Sequence, residues 1–96
     1  MVDYTTEARF DLFEAAEYYE NCQQGLGKRF RDEIARMLNA VASAPCLWRE
    51  RKGGYRRVNC PVFPYYIAYV IREEFVVVLA VAHGSREPGF WRDRLK

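Results

Sequence analysis

The residues best suited to chemistry lie near the C-terminus, in the segment AVAHGSREPGFWRDR that spans residues 80–94. It contains the only histidine of the chain, three arginines and a tryptophan: His83, Arg86, Trp91, Arg92 and Arg94. Guanidinium groups bind phosphate or carboxylate well, because their forked donors reach two oxygens at once. Such arginines, together with a tyrosine, histidine or lysine that transfers protons, could also cleave a phosphodiester without a metal. The segment predicts an anion-binding rim, and Pro88 predicts a turn that gives Arg86 a fixed direction.

Arg56 and Arg57 extend this rim, because they lie on a neighbouring predicted strand. Side chains alternate along a strand, so one of the two arginines points to each face of the sheet. The candidates for binding a target are therefore Arg56, Arg57, His83, Arg86, Trp91 and Arg92. An alternative for Arg56, Arg57, Arg92 and Arg94 is that they are solvated or pair with glutamates of the first helix. His83 could be a hydrogen-bonded structural residue, and Trp91 could anchor the tail on the core.

The common enzyme signatures are missing from the sequence. It has no Ser-His-Asp spacing and no glycine-rich phosphate loop, and a lone histidine cannot form a two-histidine metal site. The cysteines, Cys22, Cys46 and Cys60, have neither C-x-x-C spacing nor a pattern of pairs, which indicates reduced thiols. We therefore expect neither a metal nor a cofactor.

Length and composition indicate one globular domain over residues 1–96. Half of the 96 residues are hydrophobic, which is enough for a compact but thin core. The formal net charge of +2 is too small for a general polyanion binder, although ten of the fifteen basic residues lie in the second half. No apolar run approaches the roughly 20 residues of a membrane span, and the N-terminus does not resemble a signal peptide. We therefore expect a cytoplasmic protein that does not contact membranes.

Two amphipathic helices are predicted in the first half of the chain. Apolar residues recur at helical spacing within EARFDLFEAAEYYENC, and Thr5 or Thr6 suits the start of this helix. Gly25 and Gly27 then break the pattern. A second apolar stripe follows at steps of three or four residues: Leu26, Phe30, Ile34, Leu38 and Val41. Pro45 ends the second helix, and the short connection favours an antiparallel helical hairpin.

The rest of the chain has the residue pattern of β-strands. MVDYT predicts a short first strand, and YRRVNC, PYYIAYVI and FVVVLAVAH predict three more, joined as an antiparallel meander. The last of these is apolar on both faces, as a central strand is. The order β-α-α-β-β-β with a short C-terminal tail predicts an α+β fold, in which the helical hairpin packs on one face of a small, mostly antiparallel sheet. The other face is left without a cover from this chain and is the natural place for a partner.

Several segments of the chain carry a family likeness: DLFEAAEYYE, GLGKRFRDEI, GYRRV, FPYYIAYVI and VVVLAVAHGSREPGFWRDR. Together they resemble the RelE/ParE superfamily of type II toxins, specifically its ParE-like branch, often labelled plasmid stabilisation proteins. The string A-H-x-x-R-x-P-x-x-W is the most specific part, and the resemblance covers nearly the whole chain. It implies a toxin that inhibits growth and is held inactive by an antitoxin encoded beside it.

The resemblance also implies how this antitoxin binds. Its disordered C-terminal segment folds over the helices and the sheet of the toxin, and the toxin reaches operator DNA only through it. The apolar surface of the helices and sheet supplies the antitoxin-binding candidates: Phe10, Phe13, Tyr18 and Tyr66.

Two mechanisms occur in the superfamily, and the resemblance bears on the choice between them. RelE-like members cleave messenger RNA in the ribosomal decoding site, whereas characterised ParE-like members poison DNA gyrase and are not nucleases. Where RelE-like nucleases place an arginine on the middle strand, this chain has Tyr66, and Phe90 or Trp91 replaces their tail tyrosine. Arg86 matches a family arginine, and Lys52 falls near their basic loop. This pattern favours a gyrase poison that is not itself an enzyme. The alternatives are a ribosome-dependent, metal-independent mRNA endoribonuclease and a weakly toxic member that acts mainly in antitoxin binding and operon autorepression.

Overall fold

A computed structural model of the protein describes residues 2–86 and 89–95, with the backbone alone for Asp93 and Leu95. The elements, in chain order, are β1 (Val2–Tyr4), α1 (Thr6–Cys22), α2 (Leu26–Ser43), β2 (Glu50–Arg51), β3 (Tyr55–Asn59), β4 (Tyr65–Arg72) and β5 (Phe75–His83). A 3₁₀ turn follows α2 and another forms the tail. None of the described helices is long and apolar enough to cross a bilayer. The predicted α+β fold is confirmed, with β2 as an additional strand.

The strands form a five-stranded sheet in the order β1-β5-β4-β3-β2. β5 pairs with β4 along its whole length. The pairs of β4 with β3 and of β3 with β2 are antiparallel as well, so the predicted antiparallel meander is present. β1 pairs in parallel with only the first part of β5, where Val2–Tyr4 lie opposite residues 76–78. Two parallel strands need a long connection that crosses over the sheet, and the helical hairpin between them in sequence provides this crossing. The second half of β5 therefore extends beyond β1.

The helical hairpin packs tightly because of the glycines that connect its helices. Gly25 has a φ of 87°, a left-handed conformation that suits glycine. The carboxylate of Glu20 accepts the N–H groups of Gly25 and Gly27, each at 3.0 Å. A Cβ on Gly27 would lie 2.5 Å from the carbonyl oxygen of Ala16, so a side chain there would push the helices apart. The glycines that end the first periodic pattern thus also permit the close packing of the second helix.

A β-bulge divides β5 into two halves. In the first half the even-numbered side chains face the helices, and in the second half the odd-numbered side chains do. Tyr69 pairs with Val78 and Ala68 pairs with Ala80, so Leu79 is an extra residue without a partner on β4. Before the bulge Val76 and Val78 belong to the core beneath the helices, whereas after it Val81 does. The bulge therefore also turns His83 toward the helix side, where its ring packs edge-on against that of Tyr65 at 5.4 Å.

The face of the sheet away from the helices has a core of its own, which corrects the expectation that this chain leaves it uncovered. Its members are Tyr66, Ala68, Val70, Leu79, Ala80, Ala82 and Trp91, flanked by Tyr55, Val77 and Phe90. Trp91 is 1% exposed and lies between the rings of Tyr55 and Tyr66 at 5.2 and 5.6 Å. The tail thus folds back over the sheet, and the interpretation of Trp91 as an anchor is confirmed. The expectation was wrong because strand patterning does not indicate the direction of the chain after β5.

Candidate functional site

Three of the six candidates for binding a target come together at one end of the sheet. His83 lines a cleft of about 270 Å³ together with Arg57. It also lines a second cleft, of about 370 Å³, together with Arg86. The concavity predicted at the end of the central strand is therefore a pair of clefts that share one histidine. The cleft with Arg86 is also lined by Asp11 and Glu14, so its charge is mixed and not purely cationic.

Arg57 lies on the face of the sheet opposite the helices, stacked on an aromatic ring. Its guanidinium carbon is 4.0 Å from the centre of the Tyr66 ring, and its Nε donates to Oδ1 of Asn59 at 2.9 Å. Within the part of the chain that the structure describes, no contact uses its Nη groups. Stacking fixes the direction of a guanidinium without consuming its donors, so Arg57 can bind an anion through these groups.

Tyr66 is fully buried between this arginine and the tail. Its hydroxyl has no hydrogen-bond partner among the described residues. Burial raises the pKa of Tyr66 above that of a free tyrosine, and the positive charge of Arg57 opposes this shift. A tyrosine in this state neither reaches a partner protein nor ionises near neutral pH. Tyr66 therefore lies apart from the other antitoxin-binding candidates.

Arg56 points to the helix side, as the alternation along the strand predicts, and its contacts are structural. Its Nη1 donates to the carbonyl oxygen of Trp48 at 2.6 Å. Its Nη2 lies 3.5 Å from a carboxylate oxygen of Glu50, the cross-strand neighbour on β2. Arg56 holds the segment after α2 against the sheet, and it does not join the two clefts.

Arg86 lies in the turn that follows β5 and is exposed to solvent. Its backbone N–H donates to the carbonyl oxygen of His83 at 3.0 Å, which closes the turn. Its guanidinium carbon is 3.8 Å from the centre of the Phe90 ring. The turn expected from the proline in SREPGFW falls on Glu87 and Pro88, which lie outside the described residues. Arg86, stacked on Phe90, is therefore the second guanidinium at this end of the sheet that packs on an aromatic ring, after Arg57.

His83 is held by its neighbour Ser85, as the structural alternative proposed. Its Nδ1 accepts the backbone N–H of Ser85 at 3.0 Å and lies 2.7 Å from the hydroxyl oxygen of the same residue. Because Nδ1 accepts a hydrogen bond, the neutral ring carries its proton on Nε2. In this tautomer Nε2 donates a hydrogen bond, which suits binding to an oxygen atom better than removing a proton.

The two remaining candidates, Trp91 and Arg92, belong to the tail and lie over the face of the sheet away from the helices. Arg92 and Trp91 line a third cleft, of about 230 Å³, together with Tyr55. Arg92 is exposed, whereas Trp91 contributes to this cleft only the small part of its ring that is not buried. The described residues contain no group of three or more His, Cys, Asp or Glu side chains placed as metal ligands.

An ion pair of Arg94 fastens the tail to α1, as the alternative for this arginine proposed, but its partner is an aspartate and not a glutamate. Nη1 of Arg94 donates to Oδ2 of Asp11 at 2.7 Å and to the carbonyl oxygen of Leu79 at 2.9 Å. The same carboxylate oxygen accepts the N–H of Val81 at 3.2 Å. These two side chains satisfy the backbone of β5 where β1 has ended. The signal was an acidic residue on the inner face of the first helix, three residues after Ala8.

The three candidates on α1 are all exposed, and Tyr18 lies on a different side of the helix from Phe13, in the cleft that His83 and Arg86 also line. Phe10, Phe13 and Tyr18 are 58%, 61% and 62% exposed, whereas the alanines on the opposite side of the helix are buried. The outer side of α1 thus carries large aromatic side chains among the exposed carboxylates of Glu7, Glu14 and Glu17, whereas the sheet and α2 cover the inner side. Several large aromatic side chains exposed on one helix are typical of a surface that binds another protein.

Known proteins resemble this chain in sequence and in fold. Residues 2–88 match the family model described as "ParE toxin of type II toxin-antitoxin system, parDE". Toxin ParE2 of Mycobacterium tuberculosis, in strains CDC 1551 and H37Rv, is 31% identical over 86 residues, covering 81% of this chain and 75% of that protein. A chain from the chromosomal ParDE TA system from P. aeruginosa has the same fold, with a TM-score of 0.65 and 12% identity. That match covers 85% of this chain and 92% of the P. aeruginosa chain.

Proposed function

Because this chain belongs to the ParE toxin family of type II toxin-antitoxin systems, as its sequence predicts, we propose that it arrests growth by poisoning DNA gyrase. A cognate antitoxin, encoded beside it, neutralises the toxin by covering the outer face of α1. Both events take place in the cytoplasm, and the toxin meets operator DNA only through the antitoxin. The end of the sheet that carries Arg57, His83 and Arg86 is the surface that engages the target.

The observation that carries the antitoxin proposal is the exposure of Phe10, Phe13 and Tyr18 along one helix. Leaving one large apolar side chain in water rather than burying it costs about 1.5–3 kcal/mol. A partner segment that covers all three regains much of this free energy, which gives a tight complex. Folding of the segment on α1 supplies the covering surface.

Two features of the end of the sheet that carries the two clefts support a gyrase poison rather than a nuclease. Tyr66 stands where a RelE-like nuclease has an arginine, and its hydroxyl is buried beneath the tail, away from any substrate. His83 keeps Nδ1 engaged with Ser85, so its neutral ring offers a donor and not a base. The stacked arginines remain suited to contacts with carboxylates or phosphates of a large target.

Gyrase poisoning is tested with purified gyrase and negatively supercoiled plasmid. We expect the wild-type protein to increase the amount of linear DNA released after denaturation, and Arg86→Ala to lose this effect while it keeps its melting temperature. Arg86→Lys should restore it only in part, because an ammonium group is a point charge. Arg72→Ala, at the opposite end of the sheet, is the matched control and should act like wild type. Full activity of Arg86→Ala would remove this rim from the mechanism.

The mRNA endonuclease is the second candidate, favoured by the position of His83 in one cleft with Arg57 and in another with Arg86. The proposed function predicts intact messenger RNA when the protein is added to a translating extract. Cleavage of ribosome-bound messenger RNA, lost in His83→Ala, would replace gyrase poisoning with this activity. Normal growth after induction without the antitoxin would indicate a weakly toxic member instead.

A further inference from the structure

A groove with a mixed apolar and basic lining lies between β1, α1 and α2. It has a volume of about 300 Å³ and is lined by Tyr4, Arg9, Leu12, Phe13 and Arg31. We call it the arginine groove. Tyr4 and Leu12 are half-buried and form its apolar floor, while Phe13 projects beside it and is 61% exposed. Phe10, one helical turn before Phe13 on α1, is exposed as well.

Two guanidinium groups flank the apolar floor, one from each helix. The guanidinium carbon of Arg9 lies 5.2 Å from the centre of the Tyr4 ring, and Arg31 is exposed on α2. Among the side chains that the structure describes, neither arginine has a carboxylate oxygen within 4.0 Å. The acidic neighbour of Arg31 along the chain, Asp32, is paired with Lys28 at 2.9 Å. The pKa of the Asp32 carboxyl is lowered chiefly by its hydrogen bond to Lys28 and only to a small extent by Arg31. In the described part of the chain, neither arginine of the groove forms an ion pair.

We propose that the arginine groove binds a segment of a partner protein in which a carboxylate side chain stands next to a large apolar one. The inference rests on the function proposed above, since the antitoxin is that partner, and it adds the chemistry by which the antitoxin is recognised. The apolar side chain of the segment packs on Leu12 and Phe13. Its carboxylate lies between the guanidinium groups of Arg9 and Arg31.

Charge and shape together select this occupant. Two like charges at one groove gain most from a single anion placed between them, and a guanidinium matches the two oxygens of a carboxylate. A nucleic acid would also supply anions, but it gains little from an apolar floor. A protein segment with one acidic position beside an apolar one fits both the floor and the rim.

The first experiment measures the affinity of the full chain for the protein encoded beside its gene, using charge reversals on one helix. Arg31→Glu should weaken binding by about tenfold or more, because it replaces an attraction with a repulsion. Arg29→Glu, an equal charge change two residues away and outside the groove, is the control and should stay close to wild type. An acidic-to-arginine substitution in the partner that restores binding to Arg31→Glu would identify the paired residue. Equal losses for Arg29→Glu and Arg31→Glu would overturn the inference and leave the antitoxin proposal intact.

The second experiment does not depend on the antitoxin. A library of random peptides displayed on phage is selected on the wild-type chain and counter-selected on Arg31→Glu. Enrichment of Asp or Glu adjacent to Leu, Ile or Phe supports the inference even if the neighbouring gene product does not bind, an outcome that would contradict only the proposed function. Enrichment of basic peptides, or no difference between the two baits, would overturn it. A toxin dimer that Arg31→Glu dissociates would assign the groove to a second copy of the chain and would also overturn it.

Discussion

Replacing Arg94 with alanine should destabilise the protein and detach its C-terminal tail. The side chains of Arg94 and Asp11 are only 16% and 13% exposed, so the variant leaves a largely buried carboxylate without its cation. It also leaves the carbonyl oxygen of Leu79 without the donor that Nη1 provides. Removing one partner of a fully buried ion pair costs about 3–5 kcal/mol. The loss is smaller here because Asp11 keeps the N–H of Val81, and we expect the free energy of unfolding to fall by about 2–3 kcal/mol.

Urea unfolding followed by circular dichroism measures this change, and thermal unfolding should show a melting temperature lowered by about 10–20 °C for a chain of 96 residues. Arg92→Ala removes an exposed arginine from the same 3₁₀ turn and should change stability by no more than about 0.5 kcal/mol. A double-mutant cycle with Asp11→Ala isolates the interaction between the two charges. If Arg94→Ala were as stable as Arg92→Ala, or if the cycle gave no coupling, the ion pair would not hold the tail.

Three further predictions concern the packing of the molecule. Trp91→Ala should lower the free energy of unfolding by about 3–5 kcal/mol in urea titrations, because it removes the indole ring that covers the core on the second face of the sheet. A loss below about 1 kcal/mol would contradict the role of Trp91 as an anchor. Gly27→Ala should destabilise by about 1–3 kcal/mol despite the better helix propensity of alanine, since its Cβ would meet α1, and a rise in melting temperature would refute this. Burial, with a smaller effect of a nearby carboxylate, raises the pKa of the Cys60 thiol to about 12. Mass spectrometry after iodoacetamide treatment near pH 8 should therefore show Cys22 and Cys46 modified and Cys60 intact, and rapid alkylation of Cys60 would contradict its burial.

The sequence was sufficient to predict the framework of the fold, because long elements repeat their pattern. The apolar stripe of α2 and the alternation of Tyr65, Ile67 and Tyr69 with Tyr66 and Ala68 in β4 each extend over enough residues to be unambiguous. β2 was missed because two residues cannot show alternation. The cover over the second face was also missed, since residue types do not indicate where the chain turns after a strand.

The candidate site was only partly predictable for a similar reason. His83, Arg57 and Arg86 lie near strand ends, and neighbouring antiparallel strands bring such ends together. The pairing of Asp11 with Arg94 joins residues 83 positions apart. No local pattern encodes so distant a contact. The sequence indicated only that Arg94 could pair with a glutamate of the first helix, whereas the structure pairs it with Asp11.

The extra residue at Leu79 has a consequence for comparing this chain with its relatives. Deleting it would remove the bulge and let Ala80 follow Val78 in regular alternation, so Ala80 would still pair with Ala68 and His83 would stay opposite Tyr65 on the helix side. A relative whose central strand is one residue shorter can therefore present a histidine to the same surroundings. In an alignment of the two chains the gap belongs at Leu79, because a gap placed elsewhere in the strand would match inward side chains of one chain with outward side chains of the other.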